Sequence, residues 1–241
     1  MKNKPTFLDS TPYVLYEDNH LIAVWKPGGW LVQGDETGDV TLADWTKEYI
    51  KQRYQKPGAV FLGITHRLDR VVTGAVIFAR TSKALSRMND LFRNRKVDKT
   101  YLAIVANRPE PLEGRLEHLV KKDTEKNVAK AFDRESNRSQ GAKKAVTEYE
   151  FVGTIGEHNL LKVKPITGRP HQIRVQLAKI GSTIRGDKKY GARGSHRNQA
   201  IYLHCHRMEF VHPVRKEPLS ITASLPDEQV WRLFRPIVAD L

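Results

Sequence analysis

Asp69 stands among cations in HRLDRVVTG (66–74), with Arg67 two places before it and Arg70 directly after. The apolar run GAVIFA follows at once. A carboxylate kept ionised by a guanidinium can serve as a nucleophile or a general base. The plain alternative is a surface ion pair. Two features weigh against it. The acid enters an apolar strand, so it belongs at the edge of a core, and its surroundings hold more positive charge than one acid requires. In a chain that binds RNA, a lone acid without metal ligands points to chemistry on a sugar or a base, not to phosphate hydrolysis.

Two other chemistries fit less well. His204, Cys205 and His206 are adjacent, but neighbouring side chains of a strand point to opposite faces, so Cys205 cannot join the two histidines on one ion. Structural zinc wants four convergent ligands rich in cysteine, and the chain has one cysteine. No metal site is expected. HRLD is similar to the H-R-D of a kinase catalytic loop, yet the chain has neither of the glycine-rich phosphate loops and no D-F-G.

Lys plus Arg number 41 and Asp plus Glu 27, a formal net charge of +14 over 241 residues. Such an excess favours a polyanionic partner, nucleic acid first. A membrane partner is not expected, because no apolar run approaches the roughly 20 residues of a spanning helix. Residues 1–19 contain no signal-peptide core. With Cys205 alone, no intrachain disulfide can form, and a reducing cytoplasm is the natural setting.

The elements that must hold these residues follow from local pattern. HLIAVWKPGGWLV (20–32) predicts a strand, a Lys-Pro-Gly-Gly turn and a second short strand. TLADWTKEYIKQRY (41–54) predicts a helix with a capping-box start at Thr41 and Asp44. GAVIFAR (74–80) predicts a strand covered on both faces. SKALSRMNDLFRNRK (82–96) predicts a helix whose outer face carries Arg87, Arg93 and Arg95. Strands are predicted at 99–107, 145–153, 159–166 and 200–213. Residues 121–145 are polar and basic and predict a mobile loop or irregular hairpin. RPHQIRVQLAKIG (169–181) predicts a helix with Pro170 in its first turn and Gly181 as its stop. DEQVWRLFRPI predicts a last helix. Strands and helices do not alternate regularly, so the expected class is α+β with a mixed, largely antiparallel sheet. No linker divides the chain, and 1–241 is expected to be one catalytic domain.

HRLDRVVTG resembles the H-R-L-D-x-x-T-S-G signature of the RluA family of pseudouridine synthases. LYEDNHLIAVWKPGGWLV resembles that family's N-terminal motif, KTYLAIV its tyrosine motif, and PITGRPHQIRVQLAKIGSTIRGDKKYG its long C-terminal motif. The four stand in the family's order and cover roughly residues 13–213. Departures are VVTG for the usual ending, Gln176 where histidine is common, and GSTI for G-H-P-I.

The resemblance implies a pseudouridine synthase fold, its mixed sheet flanked by helices and loops, with an active-site cleft across the sheet. It implies isomerisation of a uridine in structured RNA, a tRNA or rRNA stem-loop, without cofactor or metal. The base must leave its helix to be reached. Asp69 matches the catalytic aspartate, which either attacks the ribose C1′ or acts through a glycal. Tyr101 matches the tyrosine that packs on the uracil, and Arg174 the basic partner of the aspartate. Arg67 matches an arginine that fills the gap left by the flipped base, and Leu203 a hydrophobic contact of the uracil. Lys99 and Arg169 are further RNA-contact candidates, as are Lys121, Lys122, Lys126 and Lys130 of the basic segment. The family's first motif starts near Tyr13, so no separate N-terminal RNA-binding domain is expected. A monomer with no obligatory protein partner is expected. A non-catalytic RNA-binding module and a base-releasing N-glycosidase are the competing readings.

Overall fold

The computed structural model describes residues 11–193 and 200–241; the first ten residues, part of the stretch without a signal-peptide core, lie outside the described residues. In chain order the elements are Tyr13–Glu17 (β1), Leu21–Lys26 (β2), Leu42–Arg53 (α1), Gly63–Ile64 (β3), Thr73–Ala79 (β4) and Ser82–Arg93 (α2). Then come Val97–Val105 (β5), Glu113–Asp123 (β6), Val128–Phe132 (β7), Lys143–Ile155 (β8), His158–Pro165 (β9) and Gln172–Lys179 (α3). Leu203–Val211 (β10), Pro218–Thr222 (β11), Gln229–Leu233 (α4) and Arg235–Ala239 (α5) complete the chain. The class is α+β, with mixed, mainly antiparallel strand pairing.

Two compact units share these elements. The first takes residues 11–98, Ala200 and Cys205–Ser224. Its strand order is β1-β2-β4-β10, with β3 beside β4 and β11 beside β10. Every residue of β2 and β4 is buried, as an uninterrupted apolar run between two neighbours requires. Trp25 pairs with Ala75 and Lys26 with Gly74, so the KPGG turn and the Asp69 loop leave the sheet side by side. Gly74 sits at φ +116°, and a Cβ there would run into the Cys205 backbone, so only glycine is accommodated. Helix α1 has its predicted capping box: Thr41 Oγ1 accepts from the Asp44 amide at 3.1 Å, and the Asp44 carboxylate accepts from the Thr41 amide at 3.2 Å.

The second unit takes residues 99–193, Ile201–His204 and Leu225–Leu241. Its strand order is β5-β9-β8-β6-β7. Leu102, Ile104 and Leu160 form its main core with Trp231, Phe234 and Val238 from the C-terminal helices. A smaller core joins Val120, Ala129 and Ala145 to Val175 of α3.

Four local expectations are corrected. The basic segment begins as a regular hairpin of β6 and β7, in which Lys121 faces Lys130 and Lys122 faces Ala129. Polar composition hides its alternation, because Val120, Ala129 and Ala131 are its few inward residues. Helix α3 starts at Gln172, not at Arg169, because His171 takes a left-handed φ of 53°. The expected last helix is two short ones, and residues 27–32 continue as turn and loop, not as a second strand.

Candidate active site

Asp69 is half-buried in the turn that leads into β4, its carbonyl accepting the Val72 amide at 3.0 Å. The loop is fastened from below by Lys26. That side chain is fully buried, and its Nζ donates to the carbonyls of Pro27 at 2.9 Å, Trp30 at 2.8 Å and Arg70 at 3.1 Å. The Gly29 amide donates to the same Arg70 carbonyl at 2.9 Å. The KPGG turn and the Asp69 loop are thus tied through one oxygen. Burial lowers the Lys26 ammonium to about 7, while the nearby Asp69 charge works to raise it. Three carbonyl acceptors match the three N–H bonds of an ammonium, which favours the charged form. Arg70 also has a partner of its own, since its guanidinium lies 2.8 Å from Asp39. Just upstream, His66 Nε2 accepts the Ile77 amide at 3.0 Å, and Thr65 Oγ1 donates to the Ile77 carbonyl at 2.6 Å. The loop is therefore pinned on both sides of Asp69, with Arg67 left exposed.

In the second unit Arg174 is buried in α3. Its Nε and one Nη donate to the two carboxylate oxygens of Asp187 at 2.7 and 2.8 Å. The Tyr190 ring lies 5.1 Å from the guanidinium carbon, and Tyr190 Oη accepts the Ala129 amide at 2.8 Å and meets His171 Nδ1 at 2.8 Å. Asp187 and Tyr190 both come from GDKKYG, a segment that could have been a plain turn. Glutamines seat the helix itself. Gln172 Oε1 accepts from Thr167 Oγ1 at 2.7 Å and from the Arg169 amide at 2.9 Å, while its Nε2 donates to the Val146 carbonyl at 2.9 Å. Gln176 is fully buried; its Oε1 accepts from Thr147 Oγ1 at 2.7 Å and its Nε2 donates to the Leu116 carbonyl at 3.2 Å. Gln176 Nε2 also meets His118 Nδ1 at 3.0 Å, a contact suited to a neutral imidazole, and burial lowers the His118 pKa. The departure at 176 is thus an anchor that fixes the height of Arg174.

Tyr101 is half-buried in β5 opposite Val163 of β9, and Leu203 opens β10 as a buried residue. Among the described residues no three His, Cys, Asp or Glu side chains gather as a metal ion would require. A family model described as RNA pseudouridylate synthase matches residues 20–179. The chain belongs to the RluA family of RNA pseudouridine synthases. It is an isomerase that acts on RNA. It is similar to tRNA pseudouridine synthase C of Haemophilus influenzae, at 30% identity over 92% of this chain and 95% of that protein. It is similar to ribosomal large subunit pseudouridine synthase D of Borreliella burgdorferi, at 32% identity over 81% of this chain and 60% of that protein. The solved structure of human RNA pseudouridylate synthase domain containing 4 shares its fold, with a TM-score of 0.73 at 24% identity over 92% of each chain.

For an RNA pseudouridine synthase the placement of the basic residues matters next. Lys121, Lys122, Lys126 and Lys130 are all exposed on the β6–β7 hairpin. The register divides them. Lys121 and Lys130 lie opposite each other on one face, whereas Lys122 shares the face of Val120 and Ala129, which pack with α3. Arg169 is spent partly on structure, its Nε donating to the Lys144 carbonyl at 3.1 Å. Lys99 is half-buried in β5. Sequence reasoning missed Lys26, which ties the Asp69 loop to the KPGG turn, and Asp187, which holds Arg174. Lysine before Pro-Gly-Gly reads as an ordinary exposed turn residue, and only its flanking apolar strand hints at burial.

Proposed function

We propose that this synthase converts a specific uridine of tRNA or ribosomal RNA to pseudouridine with Asp69 as the catalytic carboxylate. The bond between C1′ and N1 breaks, the uracil turns, and a bond from C1′ to C5 forms while the C5 proton leaves and N1 gains one. Asp69 serves either by attack on C1′ or as the base of a glycal route. Tyr101 packs on the uracil, Leu203 borders it, and Arg174 is the basic residue that serves the aspartate. The uridine is flipped from its stem to react, and Arg67 stands in the gap it leaves. Lys99, Arg169 and the hairpin lysines hold phosphates, which position RNA without reading its sequence. One domain acts in the cytoplasm as a monomer.

The observation that carries this reading is the Asp69 loop, which has the family's H-R-L-D and is tied by a buried lysine to the family's KPGG turn. The relatives' names support RNA of the tRNA and ribosomal classes. The test is release of tritium from C5-labelled uridine in unmodified tRNA and ribosomal RNA. The protein should release it, and Asp69→Asn should not, while still binding RNA. Near wild-type release by the variant would remove Asp69 from the mechanism. No release by the unaltered protein on either RNA would remove the reaction.

A further inference from the structure

Phe61 is 49% exposed, one of three aromatic side chains among the described residues that stand well out of the surface. The other two are occupied. Tyr13 stacks on Trp25 with ring centroids 5.4 Å apart, and Tyr54 carries the Arg80 guanidinium 4.6 Å from its ring centroid. Phe61 has no ring or cation partner among the described residues. It lines an open cavity of about 480 Å³, large enough for one nucleotide, together with Gln33, Thr65, His66, Arg67 and Leu85. Gly63 and Leu85 contribute apolar lining, since the missing side chain at 63 leaves its room to the Leu85 methyl groups. Arg67 is exposed and makes no hydrogen bond or ion pair among the described residues. An unpartnered aromatic ring beside an unpartnered guanidinium is the pairing that single-stranded nucleic acid uses, one for a base face and one for its phosphate.

We propose that this cavity holds one unpaired nucleotide next to the target uridine, with its base stacked on Phe61 and the phosphate that joins the two nucleotides on Arg67, at the edge of the gap the uridine leaves. The proposal rests on the synthase reading and adds a subsite to it. The cavity wall is the stretch from Phe61 to Arg67, which runs directly into Asp69, so a nucleotide seated there lies one or two chain steps from the reacting residue. The excess of +14 makes the occupant a polyanion, and the ring makes it one with flat apolar faces. Stacking is tolerant of base identity, so the subsite holds register along the strand and does not read sequence.

The probes are a fluorescein-labelled uridine octanucleotide and the same octamer with every base removed. Phe61→Ala should weaken binding of the uridine octamer by roughly 5- to 150-fold and leave the abasic octamer within about twofold of wild type. Phe61→Trp should restore the uridine octamer and Phe61→Leu should not, because leucine is apolar but has no π-face. Arg67→Gln should weaken both octamers and reduce the log–log salt slope by about 0.7. Phe61 is exposed, so thermal midpoints should stay level across its variants. Phe61→Ala binding the uridine octamer as tightly as wild type would overturn the proposal. So would equal losses on both octamers, or rescue by leucine. Tritium release by the unaltered protein decides the synthase reading separately, whichever way the octamers bind.

Discussion

The Arg174 guanidinium lies against the Asp187 carboxylate as a two-pronged fork, with N···O distances of 2.7 and 2.8 Å and both side chains buried. Removing one partner of such a pair takes from the other buried charge the hydrogen bonds of the fork. Asp187→Ala should therefore cost about 3–5 kcal/mol of stability, and Asp187→Asn less, as read from urea midpoints. With Asp187→Asn folded at low temperature, turnover should fall while RNA affinity holds. Unchanged turnover would make the fork purely architectural.

Arg174→Lys is expected not to be conservative. An ammonium cannot reproduce two parallel N–H bonds to one carboxylate. Turnover should drop about ten-fold or more, or about 1.4 kcal/mol of barrier, with RNA affinity little changed. Single-turnover tritium release and direct binding, measured side by side, separate the two.

Lys26→Met should destabilise the protein by about 1–3 kcal/mol for each carbonyl left unsatisfied by donor loss, more than it slows the chemistry. It should also change the pH profile. Burial lowers the lysine to about 7, so between there and its unfolded value near 10.4 the unfolded chain holds more protons. Stability from this group thus rises with pH through that window; it is most favourable above it and fully lost below about 7. Urea midpoints from pH 6 to 10 should rise less steeply in Lys26→Met than in wild type. Parallel profiles would show that the three carbonyls keep the ammonium charged throughout.

Asp18 should govern the acid limb. Burial works to raise its carboxyl, but the amides of Leu21 and His20 outweigh this and hold it below the usual value. Those amides donate to Oδ1 at 2.7 Å each, and Tyr16 donates to Oδ2 at 2.9 Å. The stability this gives is present above the unfolded carboxyl value near 3.9 and lost as pH falls through the lower folded one. Asp18→Asn should lose about 1–3 kcal/mol at pH 7 and show a flatter fall between pH 5 and 2.

Neutralising Lys121, Lys122, Lys126 and Lys130 together should weaken target and non-target RNA alike. The salt slope should flatten by about 0.7 to 0.9 for each phosphate that the protein no longer neutralises. Because Lys121 and Lys130 share the face away from α3, that pair alone should account for most of the weakening. An unchanged slope would move the footprint to α2, where Arg93 is exposed and Arg87 donates to the Pro213 carbonyl at 3.2 Å.

Legibility in the sequence follows the strength of local pattern. β4 is readable because seven consecutive buried residues leave no other choice, and α1 because Thr41 and Asp44 cap reciprocally. The hairpin is not, since its inward face offers only Val120, Ala129 and Ala131, too few apolar residues to show a period of two. An early start for α3 fails on His171, whose left-handed backbone no single-residue propensity foretells. At the site, Asp69 is conspicuous because it breaks a charge pattern. Asp187 is silent, because an acid within GDKKYG shows its meaning only when the fold brings Arg174 to it.

The first unit is assembled from distant stretches of chain, and this sets a timetable for its synthesis. β4 lies beside β10, yet Cys205–Val211 leaves the ribosome long after Thr73–Ala79. At roughly 5–20 residues per second the wait is on the order of ten seconds. For that time an apolar strand, fully buried in the finished protein, has on one flank only the two-residue pairing with β3 at Phe78 and Ala79, while the strands of the second unit from β9 to β7 have all emerged. A chain cut short before β10 should therefore expose most of that edge and be more prone to aggregate than the full-length protein.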